Sequence, residues 1–268
     1  MNLKILISFI LMSHTVFTFA SDVQLDLCIK GGEEFGNGLG RDEIPSDCYD
    51  LLKKTAGLKA IKTSASGKVF AFGHNNIVFN KQDGIVRTIA GSNAQLGEVI
   101  ALAIDESNHE IAVLDERGNV LIFPSRMSGN IAPYRILKHK DLHGASDLMI
   151  NAKKNELIVF NNSKQSLIFF PRLANNHGRG KKKAPVVLRV VRNLVGIESV
   201  TLDEAHQELF TLDTVKNRIK VLSLENAAPG RNLALPTSFK NARKIEYSIG
   251  KDQITVTNAA GETVAISR

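Results

Sequence analysis

Residues 101–124 read ALAIDESNHEIAVLDERGNVLIFP, and this stretch decides the fold. Ala101–Ile104 is apolar, Asp105–His109 is a polar turn, and Glu110–Leu114 is apolar and β-branched. Asp115–Asn119 is a second turn and Val120–Phe123 a third apolar run. Short apolar runs bounded by Asp, Asn and Gly read as strand, turn, strand, turn, strand. Three such strands cannot bury both of their faces alone, so several copies must stack into one body.

The copies are present. The turn residue five places before each second strand is Thr63, Asp105, Asn151, Asp203 and Ser248, at separations of 42, 46, 52 and 45 residues. The second turn recurs as Gly73, Asp115, Asn161, Asp213 and Asn258. A fourth strand is expected at Val86–Ile89, Tyr134–Leu137, Val187–Val191 and Asn232–Leu235. A four-stranded unit repeating at this period predicts an all-β fold, a β-propeller of five blades over residues 58–268. The last unit stops at Ile266 with three strands, and a propeller must close or leave an exposed edge. Val23, Leu25 and Leu27 alternate with polar neighbours, so an N-terminal strand is expected to close the last blade.

Residues 1–20 read as a secretory signal. Lys4 precedes an apolar run, and Thr18-Phe19-Ala20 offers a small-residue cleavage site before Ser21. The mature chain is then exported, to a periplasm or the extracellular space, and no later stretch is long enough to span a membrane. Residues 21–57 do not repeat. They hold the closing strand, a Gly-rich loop and one short helix opened by Pro45-Ser46 and followed by Gly57. Cys28 and Cys48 are the only cysteines. An oxidising compartment and the lack of a CxxC spacing favour a structural disulfide over a redox or metal pair. Such a bond would contribute about 3 kcal/mol.

The segment TLDTVKNRIKVL (Thr211–Leu222) resembles the core of NHL-type propeller repeats, where an Asp-Thr turn leads into Asn-Arg-Ile and an apolar strand. VLDERGNVLIFP and VFNNSKQSLIFFP are degenerate versions, and SGNIAPYRIL (Ser128–Leu137) is similar to the inter-strand link of bacterial secreted relatives. The resemblance covers Leu58–Arg268. It implies a propeller and leaves activity open, because these propellers host binding modules, scaffolds and a few enzymes.

Two site readings follow. Asp115, Asn161, Asp213 and Asn258 are weak candidates for a divalent metal at the channel mouth, as in lactonase-type propeller hydrolases, but each sits where a β-turn wants Asp or Asn anyway. No cofactor is required. His139, Asp141 and His143 have a metal-like spacing within a polar link and read as a solvated loop. No GxSxG context marks a nucleophile, so no catalytic residue is assigned.

The second site is a basic insert. Eight residues separate Pro124 from Pro133, whereas thirteen separate Pro171 from Pro185. Arg172, Arg179, Lys181, Lys182 and Lys183 collect there, with Arg189 and Arg192 on the strand beyond. The formal charge is +7, and removal of the signal, with one lysine and no acid, leaves +6. That balance suits a protein or other surface of negative charge. The chain has no tryptophan and three tyrosines (Tyr49, Tyr134, Tyr247), too few for stacking platforms, which disfavours sugars and nucleic acid. The expected function is a non-catalytic binding or scaffold module for an anionic macromolecule, with the lactonase-type hydrolase as the alternative.

Overall fold

The structure is a computed structural model and describes residues 58–63, 67–72, 77–82, 85–174, 185–226, 228–248 and 251–268. The expected signal, closing strand, Cys28–Cys48 bond and short helix all lie outside the described residues. Blade 1 is β1 (Leu58–Thr63), β2 (Gly67–Phe72), β3 (Ile77–Gln82) and β4 (Ile85–Ile89). Blade 2 is β5 (Val99–Asp105), β6 (Glu110–Asp115), β7 (Asn119–Pro124) and β8 (Arg135–Lys138). Blade 3 is β9 (Ala145–Asn151), β10 (Glu156–Asn161), β11 (Ser166–Pro171) and β12 (Arg189–Val191). Blade 4 is β13 (Ile197–Asp203), β14 (Glu208–Asp213), β15 (Arg218–Ser223) and β16 (Pro229–Ala234). A terminal sheet holds β17 (Ala242–Ser248), β18 (Gln253–Asn258) and β19 (Thr263–Ser267).

Every sheet is an antiparallel meander in chain order. The expectation of five blades is corrected to four complete four-stranded blades, with the fifth repeat forming a three-stranded sheet among the described residues. The first strands β1, β5, β9, β13 and β17 contact one another in succession, which arranges the sheets around a common centre.

In blades 2 and 3 the middle strands β6, β7, β10 and β11 read as nearly continuous apolar runs because both faces of their sheets are covered. Ile111, Val113, Leu121 and Phe123 turn towards blade 1 and pack with Ile89. Ala112, Leu114, Val120 and Ile122 turn the other way, against Leu157, Val159, Ile168 and Phe170 of blade 3. Blade 3 presents Ile158, Phe160, Leu167 and Phe169 to Leu209 and Leu222 of blade 4. Phe210, Leu212, Ile219 and Val221 then pack on Ile245, Ile254 and Val256 of the terminal sheet. Fully burying one such side chain stabilises by about 1.5–3 kcal/mol, so the cohesion of the body lies between its sheets.

Two further features repeat. Each first strand carries a bulge one residue after its start, at Lys59, Ile100, Ser146, Glu198 and Arg243. A bulge adds local twist where the strand enters the sheet. The chain also passes close over its own second turn just before the first strand. Ser163 N–H donates to the Gly144 carbonyl (3.4 Å), Thr214 N–H to Gly196 (3.2 Å) and Ala259 N–H to Asn241 (3.0 Å). Gly144 has φ of 78°, and a Cβ there would lie 2.4 Å from Ser163 Oγ. Gly144→Ala is therefore expected to lower stability by about 1–3 kcal/mol, from left-handed strain plus the clash. Urea denaturation checks this, and a midpoint equal to wild type would contradict it.

Candidate functional site

The four Asp and Asn side chains proposed as a metal set are turn caps. Asp115 accepts from Asn119 N–H (2.8 Å) and from Arg117 Nε (2.8 Å) and Nη2 (2.6 Å). Asn161 accepts from Lys164 N–H (2.9 Å) and donates to the carbonyls of Asp141 and His143, each at 2.7 Å. Asp213 accepts from Lys216 N–H at 3.0 Å. Asn258 accepts from the N–H groups of Ala260 (3.0 Å) and Glu262 (2.9 Å). Their oxygens already serve the backbone, as Asx turns require. Among the described residues no three His, Cys, Asp or Glu side chains are gathered as a metal cluster. His139 Nδ1 accepts from Asp141 N–H (3.2 Å), and its ring stands edge-on to Phe170. Asp141 pairs with Lys164 at 2.5 Å, and that bond holds its carboxyl below the usual range.

The basic residues separate into two groups. Arg172 and Arg189, expected on the binding loop, are framework instead. Arg172 is buried; its Nη1 reaches Glu110 of blade 2 at 2.8 Å and Asp105 at 3.6 Å. Arg189 forks onto Glu156 (2.8 and 3.2 Å) and lies 3.8 Å over the Phe169 ring. Each guanidinium is held by a strand carboxylate, with the Arg172 side chain nearly out of solvent and that of Arg189 32% exposed. Arg192 is exposed, while Arg179, Lys181, Lys182 and Lys183 lie outside the described residues.

Both ends of the insert are placed. Pro171 pairs with Glu156 across β10 and β11, and Arg172 N–H donates to the Asn155 carbonyl at 2.7 Å. The loop therefore leaves the body on the face of the first turns, where Lys153 N–H meets Glu204 Oε1 at 2.8 Å. Its flanks expose apolar side chains: Leu173 at 61% and Val186 at 70%. On the same face the first turns of blades 2, 3 and 4 converge on a depression of about 410 Å³, lined by Ser107, Asn108, Ala152, Lys153, Glu204 and Ala205.

Sequence reasoning missed two sets of residues. The position just after the third strand bonds to the last residue of the first turn: Ser125 to His109, Arg172 to Asn155, Leu224 to Gln207, Arg268 to Asp252. Where that position is arginine it staples to the preceding sheet, and Arg268 reaches Glu208 (3.0 Å) and Asp203 (3.1 Å) much as Arg172 reaches Glu110. The second set is polar and lies in the first strands. Asp147 accepts from Val200 N–H (3.0 Å), Ser199 from Ile245 N–H (3.3 Å) and Thr201 from Tyr247 N–H (3.2 Å). The innermost strands β13 and β17 thus have edge donors satisfied by side chains of the first strand before them, which removes the cost of unpaired buried N–H groups. The shared third position of Asp147 in β9 and Ser199 in β13 was the available signal.

No family model matches the sequence, and no curated protein matches it. Solved structures do. The β-propeller domain of Cps50 (Swd1) from Myceliophteria thermophila superposes with a TM-score of 0.53 at 10% identity, covering 76% of this chain and 63% of that one. A chain of the mitotic checkpoint complex gives 0.50 at 13% identity, covering 79% and 61%. BamB from Moraxella catarrhalis gives 0.45 at 12% identity, covering 77% and 56%. The chain therefore spans about three fifths of the length of these structures. At such identities the likeness shows the fold alone. The protein is a β-propeller.

Proposed function

We propose that this chain is an exported, non-catalytic binding module of NHL type whose basic insert engages the anionic surface of a macromolecular partner. The observation that carries this reading is the pairing of a cationic loop with exposed apolar flanks. Both ends of the insert leave on the first-turn face, and Leu173, Val186 and Leu188 stand exposed beside them. Lys181, Lys182 and Lys183 supply charge that draws a partner in, and the aliphatic flanks supply area that is favourable to bury. A loop that departs from a rigid repeat is where such a contact belongs. With Arg172 and Arg189 committed to the framework, the binding charges are Arg179, Lys181, Lys182, Lys183 and Arg192. The metal reading of the Asp and Asn caps is not carried further, since backbone N–H groups already occupy them.

The test replaces Lys181, Lys182 and Lys183 together with Ser. Binding to an immobilised poly-glutamate surface should weaken by at least about tenfold, or ~1.4 kcal/mol. Its fall with added salt should become shallower, because fewer exposed charges are screened. The melting temperature should hold. Unchanged binding and an unchanged salt slope would reduce the insert to a connecting loop.

A further inference from the structure

The geometry points to a second contact site, a groove between blades 3 and 4 on the face opposite the insert, that takes an acidic peptide segment carrying an apolar side chain. It goes beyond the insert reading and shares no residue with it.

The groove arises where blade 4 departs from its own repeat. One cross-strand pair on the face towards the preceding blade is Val113–Leu121 in blade 2 and Val159–Ile168 in blade 3. The terminal sheet has Val256–Val264 there. Blade 4 places Thr211 opposite Lys220. Val113, Leu121, Val159 and Ile168 are buried and fill the space between their blades, whereas Lys220 is half-exposed. Thr211 turns its hydroxyl back to donate to the Lys220 carbonyl at 3.0 Å. The interface remains apolar above, at Leu209 and Leu222, and opens below into a groove of about 320 Å³.

Its chemistry is mixed in a specific way. Leu194, Ile197 and Leu222 line an apolar floor. Val195 and Val215 stand at the rim, each 80% exposed. Gly196, with φ of 82°, lets the linker approach until a Cβ there would lie 3.2 Å from Val215 Cγ2. Lys216, Arg218 and Lys220 line the wall. Asp213, the one carboxylate in the lining, accepts from Lys216 N–H and faces Arg218 Nε at 3.4 Å. Three cations over an apolar floor complement a carboxylate chain that inserts an aliphatic or aromatic side chain. The volume suits one or two such side chains. A purely electrostatic partner would leave the exposed valines in water.

The experiment uses the full chain and a fluorescein-labelled ten-residue peptide alternating Asp and Glu with Leu and Phe. The comparison peptide keeps the acids and replaces each apolar residue with Ser. Fluorescence anisotropy should show the first peptide binding at least about tenfold more tightly than the second. Lys220→Ile, which places there the residue that blade 3 carries at Ile168, should weaken the first peptide by about tenfold or more while raising the melting temperature by about 3 °C or more. The double change Lys216→Ser with Arg218→Ser, on exposed and half-exposed positions, should weaken it without filling the groove. The Lys181, Lys182, Lys183→Ser variant, in which the insert's own pull on acidic chains is removed, should keep the preference for the first peptide over the second. Equal affinity for the two peptides, or no binding by wild type, overturns the groove. Loss only in the insert variant overturns it too, and leaves the insert reading standing.

Discussion

Replacing Glu110 with Ala is expected to lower the unfolding free energy by about 3–5 kcal/mol, the cost of leaving buried charge uncompensated. Glu110 is buried at the start of β6 and accepts from Arg135 Nη2 at 2.6 Å and Arg172 Nη1 at 2.8 Å. Both arginines are themselves buried, and Arg135 Nε has no hydrogen-bond partner. The same pairing in blade 4, Arg231 with Glu208, has an arginine side chain 42% exposed. Its loss should cost no more than about 1 kcal/mol, because water screens it. Denaturant unfolding of Glu110→Ala and Arg231→Ala, side by side, reads the contrast, since Arg231→Ala leaves the Arg268–Glu208 pair in place. Equal losses would show that burial does not decide the value of these pairs.

The acid limb gives a second reading of the same site. Burial pushes the Glu110 carboxyl up, but hydrogen bonds from Tyr134, Arg135 and Arg172 outweigh it and hold the group below its ordinary range. A depressed folded-state pKa contributes stability that is complete above the unfolded-state value of about 4.3 and is lost as pH falls through the folded-state value. The stability gap between wild type and Glu110→Gln should therefore be widest near neutrality and shrink below about pH 4. A gap that stays constant from neutral to acid pH would sink this account.

Asp147→Ala is the second large effect, a loss of about 2–4 kcal/mol. Asp147 sits buried in β9, accepts from Val200 N–H of β13 at 3.0 Å, and ion-pairs with Lys244 of β17. Lys244 also donates to the Ser146 carbonyl at 3.3 Å. One carboxylate thus ties blade 3 to blade 4 and to the terminal sheet. Its removal leaves a buried backbone donor without an acceptor and an ammonium without its counter-charge. Asp147→Asn keeps the acceptor and should recover about half of the loss. Hydrogen exchange at the Val200 amide is the direct readout. Exchange should quicken in Asp147→Ala, and wild-type protection in that variant would show that another group holds the strand.

The repeat was legible because its signals are local. The strand boundaries expected for blade 2 differ from the observed ones by no more than two residues, and the Asp and Asn turn positions cap their own backbone within a few residues. The basic cluster was legible only as a sum of charges. Arg172 looks like part of the Lys181–Lys183 run, yet its partner Glu110 lies 62 residues away on another sheet. Arg189 pairs with Glu156 across 33 residues. Charge in a sequence carries no record of which guanidinium will meet a carboxylate, because that depends on the register between blades.

The sequence by itself determined the all-β class, the repeat and its turns, since apolar runs and Asx caps act over a few residues. Tertiary structure alone decided which charges are spent inside, which strand-edge N–H groups Asp147, Ser199 and Thr201 satisfy, and that Lys220 opens a groove where Ile168 closes one. These depend on contacts between sheets, made by residues tens of positions apart, and only the packing of one blade on the next brings them within bonding distance.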